Sequence, residues 1–180
     1  SEDWCAVCKN GGNLLCCDGC PKVFHLNCYV PILKCFPRDN EDWFCCLCKL
    51  DDELRLETSE GGGPSAGSKR KASGNLTPKQ QMVCERILLE LFSHDSSSAF
   101  HEPVSKTIPN YYSVVSHPMD LMTIKRRLAD GSFKQIEEFV AHCFLIFYNC
   151  SIFNDKDSEI GKAGMIMKAF LQGLVKRFLP

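Results

Sequence analysis

Four residue pairs, Cys5/Cys8, Cys17/Cys20, His25/Cys28 and Cys45/Cys48, each place two residues between their members, and all fall within the first 48 positions. Two intervening residues let both side chains of a tight knuckle reach one tetrahedral ion. Eight ligands make two closed sites with no position left for a reacting molecule, so the metal is structural. One such pair is a weak signal; four in register are not. A segment of about 50 residues buries too little apolar surface to hold itself together and needs staples. Ten of the chain's 13 cysteines lie in that segment. Disulfides are the other staple. Ser1-Glu2-Asp3 is acidic and no apolar run follows it, so no secretory signal is read. A start at Ser1 rather than Met suggests a fragment of something longer. An intracellular, reducing setting then favours metal over disulfides.

Charge narrows the partner. Residues 1–50 carry five Lys/Arg against six Asp/Glu, and residues 76–180 carry twelve against eleven. A nucleic-acid binder usually shows a strong basic bias. Its absence favours a peptide partner and no direct DNA binding. No stretch approaches the roughly 18 apolar residues of a membrane span, so no membrane association is expected.

Three zones follow one another: a cysteine-rich module at 1–50, a flexible linker at 51–75, and a helical domain at 76–180. The linker holds Asp51, Asp52, Glu53, Glu57 and Glu60, then Gly61-Gly62-Gly63-Pro64, then Lys69, Arg70 and Lys71. That composition is a linker's; the alternative is that its apolar residues Leu50, Leu54 and Leu56 dock the modules rigidly. The basic triplet is a weak nuclear-import signal or a solvated charge run.

From Leu76 the pattern turns helical. Thr77-Pro78-Lys79-Gln80 has the form of a capping box with Pro at the first helical position. Val83, Ile87 and Leu91 follow at helical spacing. Residues 99–118 hold Pro103, Pro109 and Pro118 without periodicity and read as a long loop, a length that is usually functional. A second helix starts at Asp120, with Leu121, Ile124 and Leu128 on one face and Gly131 placed as a C-cap glycine. A third runs from about Gln135 to Phe153. A fourth follows Ser158, with Ile160, Met167, Phe170, Leu174 and Phe178. Four amphipathic helices in about 105 residues predict a helix bundle. Cys35, Cys84, Cys143 and Cys150 read as ordinary buried thiols.

Ligand order points to a family. His25 is the fifth ligand, Trp43 lies two residues before Cys45, and Leu14-Leu15-Cys16-Cys17-Asp18-Gly19-Cys20-Pro21 completes the pattern. The segment resembles a PHD finger; a RING finger would place His fourth. The resemblance implies a cross-brace with two zinc ions, Cys5, Cys8, His25 and Cys28 on one, Cys17, Cys20, Cys45 and Cys48 on the other. Cys16 and Cys46 each neighbour a ligand. Cys17 is preferred because Cys-Asp-x-Cys is the family form, and Cys45 for its distance from Trp43.

The finger's resemblance also implies a histone H3 site. An aromatic cage for trimethyl-lysine binds by cation–π attraction. Trp4 supplies one wall, but Val23 stands at the second, and residues 9–16 hold no aromatic. Asp3 is placed to hydrogen-bond an unmethylated lysine 4 and Asp18 to pair with arginine 2. The tail adds as a strand beside Gly12 to Cys16, so that Asn13, Leu14, Leu15 and Cys16 join Asp3, Trp4 and Asp18 in the contact set. Asn13 stands where related readers often have Glu. The loop from Pro37 to Trp43 is about two residues longer than the family's, and its carbonyls face the tail's N-terminal amine. Trp4 either stacks on a methylated lysine further along or packs against the helical domain.

Residues 76–180 resemble a bromodomain, an all-α left-handed four-helix bundle. The signature runs through Phe100, Pro103-Val104, Pro109-Asn110-Tyr111-Tyr112, His117-Pro118-Met119-Asp120-Leu121 and Phe147-Tyr148-Asn149-Cys150-Ser151-Ile152-Phe153-Asn154. It implies an acetyl-lysine site. Acetylation makes the ammonium a neutral amide, which needs apolar walls and one donor. Asn154 supplies the donor and Tyr111 acts through a bridging water. Phe100, Val104, Ile108, Phe153 and Ile160 form walls, with Ile160 narrowing the mouth. Unmodified lysine is rejected because burying its charge is costly. An Asn at a helix end is otherwise a simple C-cap. Ser98-Ala99 replaces the family's Trp-Pro. His142 replaces a frequent aspartate and reads as a surface or packing residue.

Finger, linker and bundle in this order resemble the transcriptional intermediary factor 1 group of tripartite-motif proteins, through Trp4-Cys5-Ala6-Val7-Cys8, Asn10-Gly11-Gly12 and Pro21-Lys22-Val23-Phe24-His25-Leu26. The resemblance implies a nuclear transcriptional co-regulator that reads histone tails within chromatin and transcription complexes. The competing reading is a ubiquitin or SUMO ligase activity promoted by the finger. No nucleophile with an oriented base is legible, but such a ligase needs only a docking surface.

Overall fold

The computed structural model describes residues 1–57 and 74–180. The glycine run at 61–64, Glu60 and the basic triplet at 69–71 lie outside the described residues.

In the first module only four residues form strands. β1 (Leu15–Cys16) pairs antiparallel with β2 (Val23–Phe24), Leu15 opposite Phe24 and Cys16 opposite Val23. The alternation of a strand turns Leu15 into the core and leaves Cys16 exposed. The apolar centre is an aromatic trio: Tyr29 stands edge-on to Phe24 at 5.2 Å and to Trp43 at 5.0 Å. A single 3-10 turn, Cys46–Cys48, closes the module.

Residues 51–56, grouped with the linker on composition, are folded. α1 (Asp51–Leu54) is one helical turn that buries Leu54 against the bundle. Asp51 accepts from Arg177 at 2.8 Å, and the Leu56 amide donates to the Phe178 carbonyl at 2.8 Å. Acidic residues suit the first turn of a helix electrostatically, so the charge block that marks a linker in the sequence also starts a helix.

The bundle consists of α2 (Pro78–Ser93), α3 (Tyr111–Val114), α4 (Leu121–Ala129), α5 (Ile136–Phe153) and α6 (Glu159–Phe178). Each long helix begins at the capping residue its sequence supplies. Thr77 and Gln80 form a reciprocal capping box, Asp120 accepts from the Thr123 amide at 2.8 Å, and Ser158 from Gly161 at 3.0 Å. Such caps satisfy otherwise orphaned first-turn N–H groups. Gly131, at φ 76, ends α4 in the left-handed region a C-cap glycine tolerates. Val83, Ile87, Leu91, Leu121, Ile124, Phe139, Phe147, Met167, Leu171 and Phe178 fill the core. Over its 18 residues α5 reaches a mean hydropathy of 1.3, long and apolar enough to cross a membrane by composition. The expectation that no stretch approaches that level is corrected here; its apolar stripe at Phe139, Cys143, Ile146 and Phe147 is bundle core.

Two further expectations need correction. The region 99–118 contains α3 and ends a 3-10 turn at Ser98–Phe100, because Tyr111 has a buried face to fill. Cys35 is exposed, on a stretch where Ile32 and Phe36 are exposed too, whereas Cys84, Cys143 and Cys150 are buried. His142 packs between helices: its Nδ1 donates to the Glu138 carbonyl at 2.7 Å and its Nε2 accepts from Arg127 at 3.0 Å.

The two modules are packed together. Arg86 of α2, 4% exposed, donates to the carbonyls of Cys46 and Lys49, both at 3.0 Å, and to Glu90 at 3.0 Å. Lys125 of α4 donates to the Asn27 carbonyl, and Lys9 lies 3.4 Å from Asp95.

Candidate functional site

Two donor clusters form in the first module, Cys5/Cys8/His25/Cys28 and Cys17/Cys20/Cys45/Cys48, with the ligand atoms of each within 4.8 Å of one another. The interleaved pairing is therefore realised. Tetrahedral zinc with Zn–S of about 2.3 Å sets sulfurs about 3.8 Å apart. The sulfur separations Cys17–Cys48, Cys20–Cys45 and Cys45–Cys48 are 3.5, 3.6 and 3.8 Å, and His25 Nδ1 lies 3.3 Å from Cys8 and 3.8 Å from Cys28. A disulfide would bring sulfurs to about 2.05 Å. The donors fit two zinc ions.

The surroundings support that assignment. His25 Nε2 donates to the Gly11 carbonyl at 2.8 Å, leaving Nδ1 for the metal. Gly12 is needed there: its φ is 119, and a Cβ would lie 3.3 Å from His25 Nε2. Burial raises the Cys17 thiol, but amides of Cys45 and Gly19 donate to it at 3.2 and 3.3 Å and bring it down to about 7. Burial raises Cys84 and Cys143, and among the ligands Cys45 and Cys48 as well. Cys16 and Cys46 are left out of the clusters: Cys16 points outward on β1, and the Cys46 amide donates to Tyr29 at 2.7 Å.

The second site is an apolar cavity of about 120 Å³ in the bundle. Phe100, Val104, Ile108, Tyr111, Phe153, Asn154 and Ile160, all singled out in the sequence, line it together. Asn154 is the C-cap of α5 and also faces the cavity, so the two readings of that residue hold at once. Its Nδ2 donates to the Cys150 carbonyl at 3.3 Å and lies 3.7 Å from the Cys150 sulfur, a weak acceptor that a ligand carbonyl would outcompete for an N–H. Tyr111 is buried edge-on to Phe153 at 4.9 Å, and Phe100 edge-on to Phe147 at 5.3 Å. Burial raises the Tyr111 phenol, so it stays protonated. Ile108 and Ile160 remain 41% and 46% exposed, at the mouth. The long loop is held by Asn149, which donates to the His117 carbonyl at 2.8 Å, and by Tyr112, which donates to that of Val104.

Ala99, Glu102, Met119, Ile146 and Cys150 also line the cavity and were missed. For two of them the signal existed: Cys150 and Ile146 lie four and eight residues before Asn154, on its helix face. Ala99 sits in a single 3-10 turn and Glu102 and Met119 in irregular chain, where no periodicity marks them.

The expected histone contacts differ in their exposure. Asp3, Trp4, Asn13, Cys16 and Asp18 are exposed, Leu14 is half-buried and Leu15 is buried. The Trp4 ring lies over Gly11, where a Cβ would stand 3.2 Å from it, and is 61% exposed. β1 pairs with β2 alone in the two-stranded sheet. Asp18 also has a structural task, accepting from the Trp43 amide at 2.7 Å.

Family models agree with this architecture. Residues 5–48 match the PHD-finger model and residues 84–165 the bromodomain model. The chain is a PHD finger–bromodomain cassette.

As a whole it resembles the transcriptional intermediary factor 1 group of tripartite-motif proteins. It is 41% identical over 201 residues to E3 ubiquitin-protein ligase TRIM33 of Xenopus laevis, covering 100% of this chain and 18% of that protein. It is 40% identical over 183 residues to human tripartite motif-containing protein 66, covering 100% of this chain and 13% of that protein. Human bromodomain adjacent to zinc finger domain protein 2A is 33% identical over 221 residues, covering 97% of this chain and 12% of that protein. The chain thus spans less than a fifth of these relatives' length.

Proposed function

We propose that the cassette is a histone-tail reader in a nuclear transcriptional co-regulator. The bromodomain takes acetyl-lysine, and the finger takes the start of histone H3 with lysine 4 unmethylated. The observation that carries the reading is the convergence of Asn154 and Tyr111 in one otherwise apolar cavity.

The chemistry matches an acetylated side chain. Its methylenes and methyl group gain from apolar walls. Its carbonyl oxygen is a stronger acceptor than the Cys150 sulfur and takes the Asn154 N–H from it. A charged lysine would lose its hydration there, and the single acidic residue of the lining, Glu102, is exposed and keeps its own. In the finger, the free edge of β1 suits strand addition, and Asp3 offers a carboxylate to a lysine that still has N–H donors. Each methyl removes one donor from charge-assisted bonds.

Calorimetry tests both halves on the whole chain. Asn154→Ala abolishes binding of acetylated peptides while the melting temperature holds; wild-type affinity in that variant would sink the acetyl-lysine reading. H3 N-terminal peptides bearing zero to three methyls at lysine 4 weaken stepwise, and Asp3→Ala flattens the series. Equal or tighter binding of the trimethyl form overturns the finger's assignment. The name of the TRIM33 relatives carries the ligase reading. Discharge of a charged ubiquitin- or SUMO-conjugating enzyme, stimulated by this chain, would establish it.

A further inference from the structure

The acetyl-lysine cavity does not end at the bromodomain. A larger cleft of about 680 Å³ lies between the modules, and Ala99, Glu102, Val104, Ile108 and Ile160 line both spaces. Ala99 contributes only a methyl to this shared rim, whose other members are Glu102, Val104, Ile108 and Ile160. The far wall of the cleft belongs to the finger, through Val7 and Asn27, and its floor to Phe92 and Met122 of the bundle.

The chemistry of that cleft is mainly apolar. Val7 and Phe92 are themselves buried and offer a ligand little surface; Met122 at 37% exposed, Ile108 at 41% and Ile160 at 46% offer more. The cations at its edge already have acceptors: Lys9 donates to the Ala6 carbonyl at 2.8 Å, and Lys125 to that of Asn27 at 2.6 Å. Neither is free to recruit an acidic ligand.

We propose that this cleft is a specificity subsite of the acetyl-lysine site, in which the finger and the bundle together hold an apolar side chain of the same peptide. The inference rests on the acetyl-lysine reading above. In an extended peptide, side chains two residues apart share a face and stand roughly 7 Å apart. When acetyl-lysine points into the cavity, the side chain two positions away points into the cleft, and the immediate neighbours point away. The finger thereby reads the acetylated segment itself, in addition to the H3 N-terminus.

Fluorescence anisotropy on the whole chain, with acetyl-lysine peptides otherwise of Gly and Ser, tests this. Leu is placed singly at one or two positions to either side. Leu two positions away on one side tightens binding about five- to tenfold. Leu at the adjacent positions changes it less than twofold. Met122→Ala, which alters the cleft and not the cavity, cuts the Leu-to-Gly affinity ratio at the responsive position to about two. If the Gly peptide binds and no Leu position improves it, the subsite is overturned while the acetyl-lysine reading stands. A full Leu preference in Met122→Ala also overturns the subsite. If no acetylated peptide binds at all, both readings fall.

Discussion

The Nζ of Lys125, in the bundle, donates at 2.6 Å to the main-chain carbonyl of Asn27, which lies between the zinc ligands His25 and Cys28. The ammonium is 5% exposed and sits 5.6 Å from the Phe92 ring centre. A buried cation held by a carbonyl next to a metal site makes the finger part of the bundle's own packing. Arg86 does the same at the finger's other end.

Replacing Arg86 tests the joint. Arg86→Ala leaves the carbonyls of Cys46 and Lys49 without their donor and Glu90 without its cation. The expected loss is about 2–4 kcal/mol in denaturant unfolding. Arg86→Lys recovers only part of it, because an ammonium lacks the fork that serves several acceptors. A loss under about 0.5 kcal/mol would mean that the guanidinium contacts carry no net stability.

Metal content tests the finger. Atomic emission on the folded chain gives two zinc per molecule; a lower value overturns the ligand sets. Chelation unfolds the finger, whose metal binding is much of its folding free energy. The far-ultraviolet helix signal persists, but the bundle melts roughly 10 °C lower, since Arg86 and Lys125 lose their acceptors. An unchanged bundle melting temperature would show the modules to be energetically independent.

Gly161 is the tightest glycine among the described residues. A Cβ there would stand 2.0 Å from the Asp155 carbonyl oxygen. Alanine is worth up to about 1 kcal/mol over glycine in a helix, but main chain cannot give way as a side-chain tip does. Gly161→Ala therefore costs a net 1–2 kcal/mol or so. It also weakens acetylated-peptide binding, because the displaced turn follows Asn154 directly. A stabilised variant with full affinity would contradict both expectations.

Acidity tests Tyr111. Burial, helped by the neighbouring Tyr112, raises its pKa above the ordinary value of about 10. A raised phenol keeps its proton below that value, so its charge does not change between about pH 6 and pH 9. Acetylated-peptide affinity stays level over that range. Tyr111→Phe lowers it several-fold, by the loss of one water-mediated bond. Loss of affinity near pH 8 in the wild type and not in Tyr111→Phe would mean that the phenol ionises.

What the sequence made legible was local. Ligand pairs two residues apart, the caps at Thr77, Asp120 and Ser158, and Asn154 at a helix end all show their chemistry within a few positions. The joint was not legible: Arg86 meets Cys46 across 40 residues and Lys125 meets Asn27 across 98. Both partners are main-chain carbonyls, which every residue has, so no side-chain pattern announces them. Leu50, Leu54 and Leu56 were legible as apolar residues that could dock the modules, but α6 as the surface Leu54 and Leu56 meet was not, and Leu50 is 68% exposed. Cys35 misled because the segment around it carries the apolar residues Ile32, Leu33 and Phe36 and yet stays largely at the surface.

Those carbonyl acceptors have an evolutionary consequence. Asn27, Cys46 and Lys49 each neighbour a metal ligand without being one. Substituting any of them leaves its C=O in place, so the finger's surface can drift in sequence with the joint intact. Inserting or deleting a single residue beside them is different: it moves a carbonyl by up to about 3.8 Å, beyond the reach of a buried Lys or Arg. Homologues that keep this architecture should therefore vary freely in the identity of these three residues and hardly at all in their spacing to the adjoining ligands.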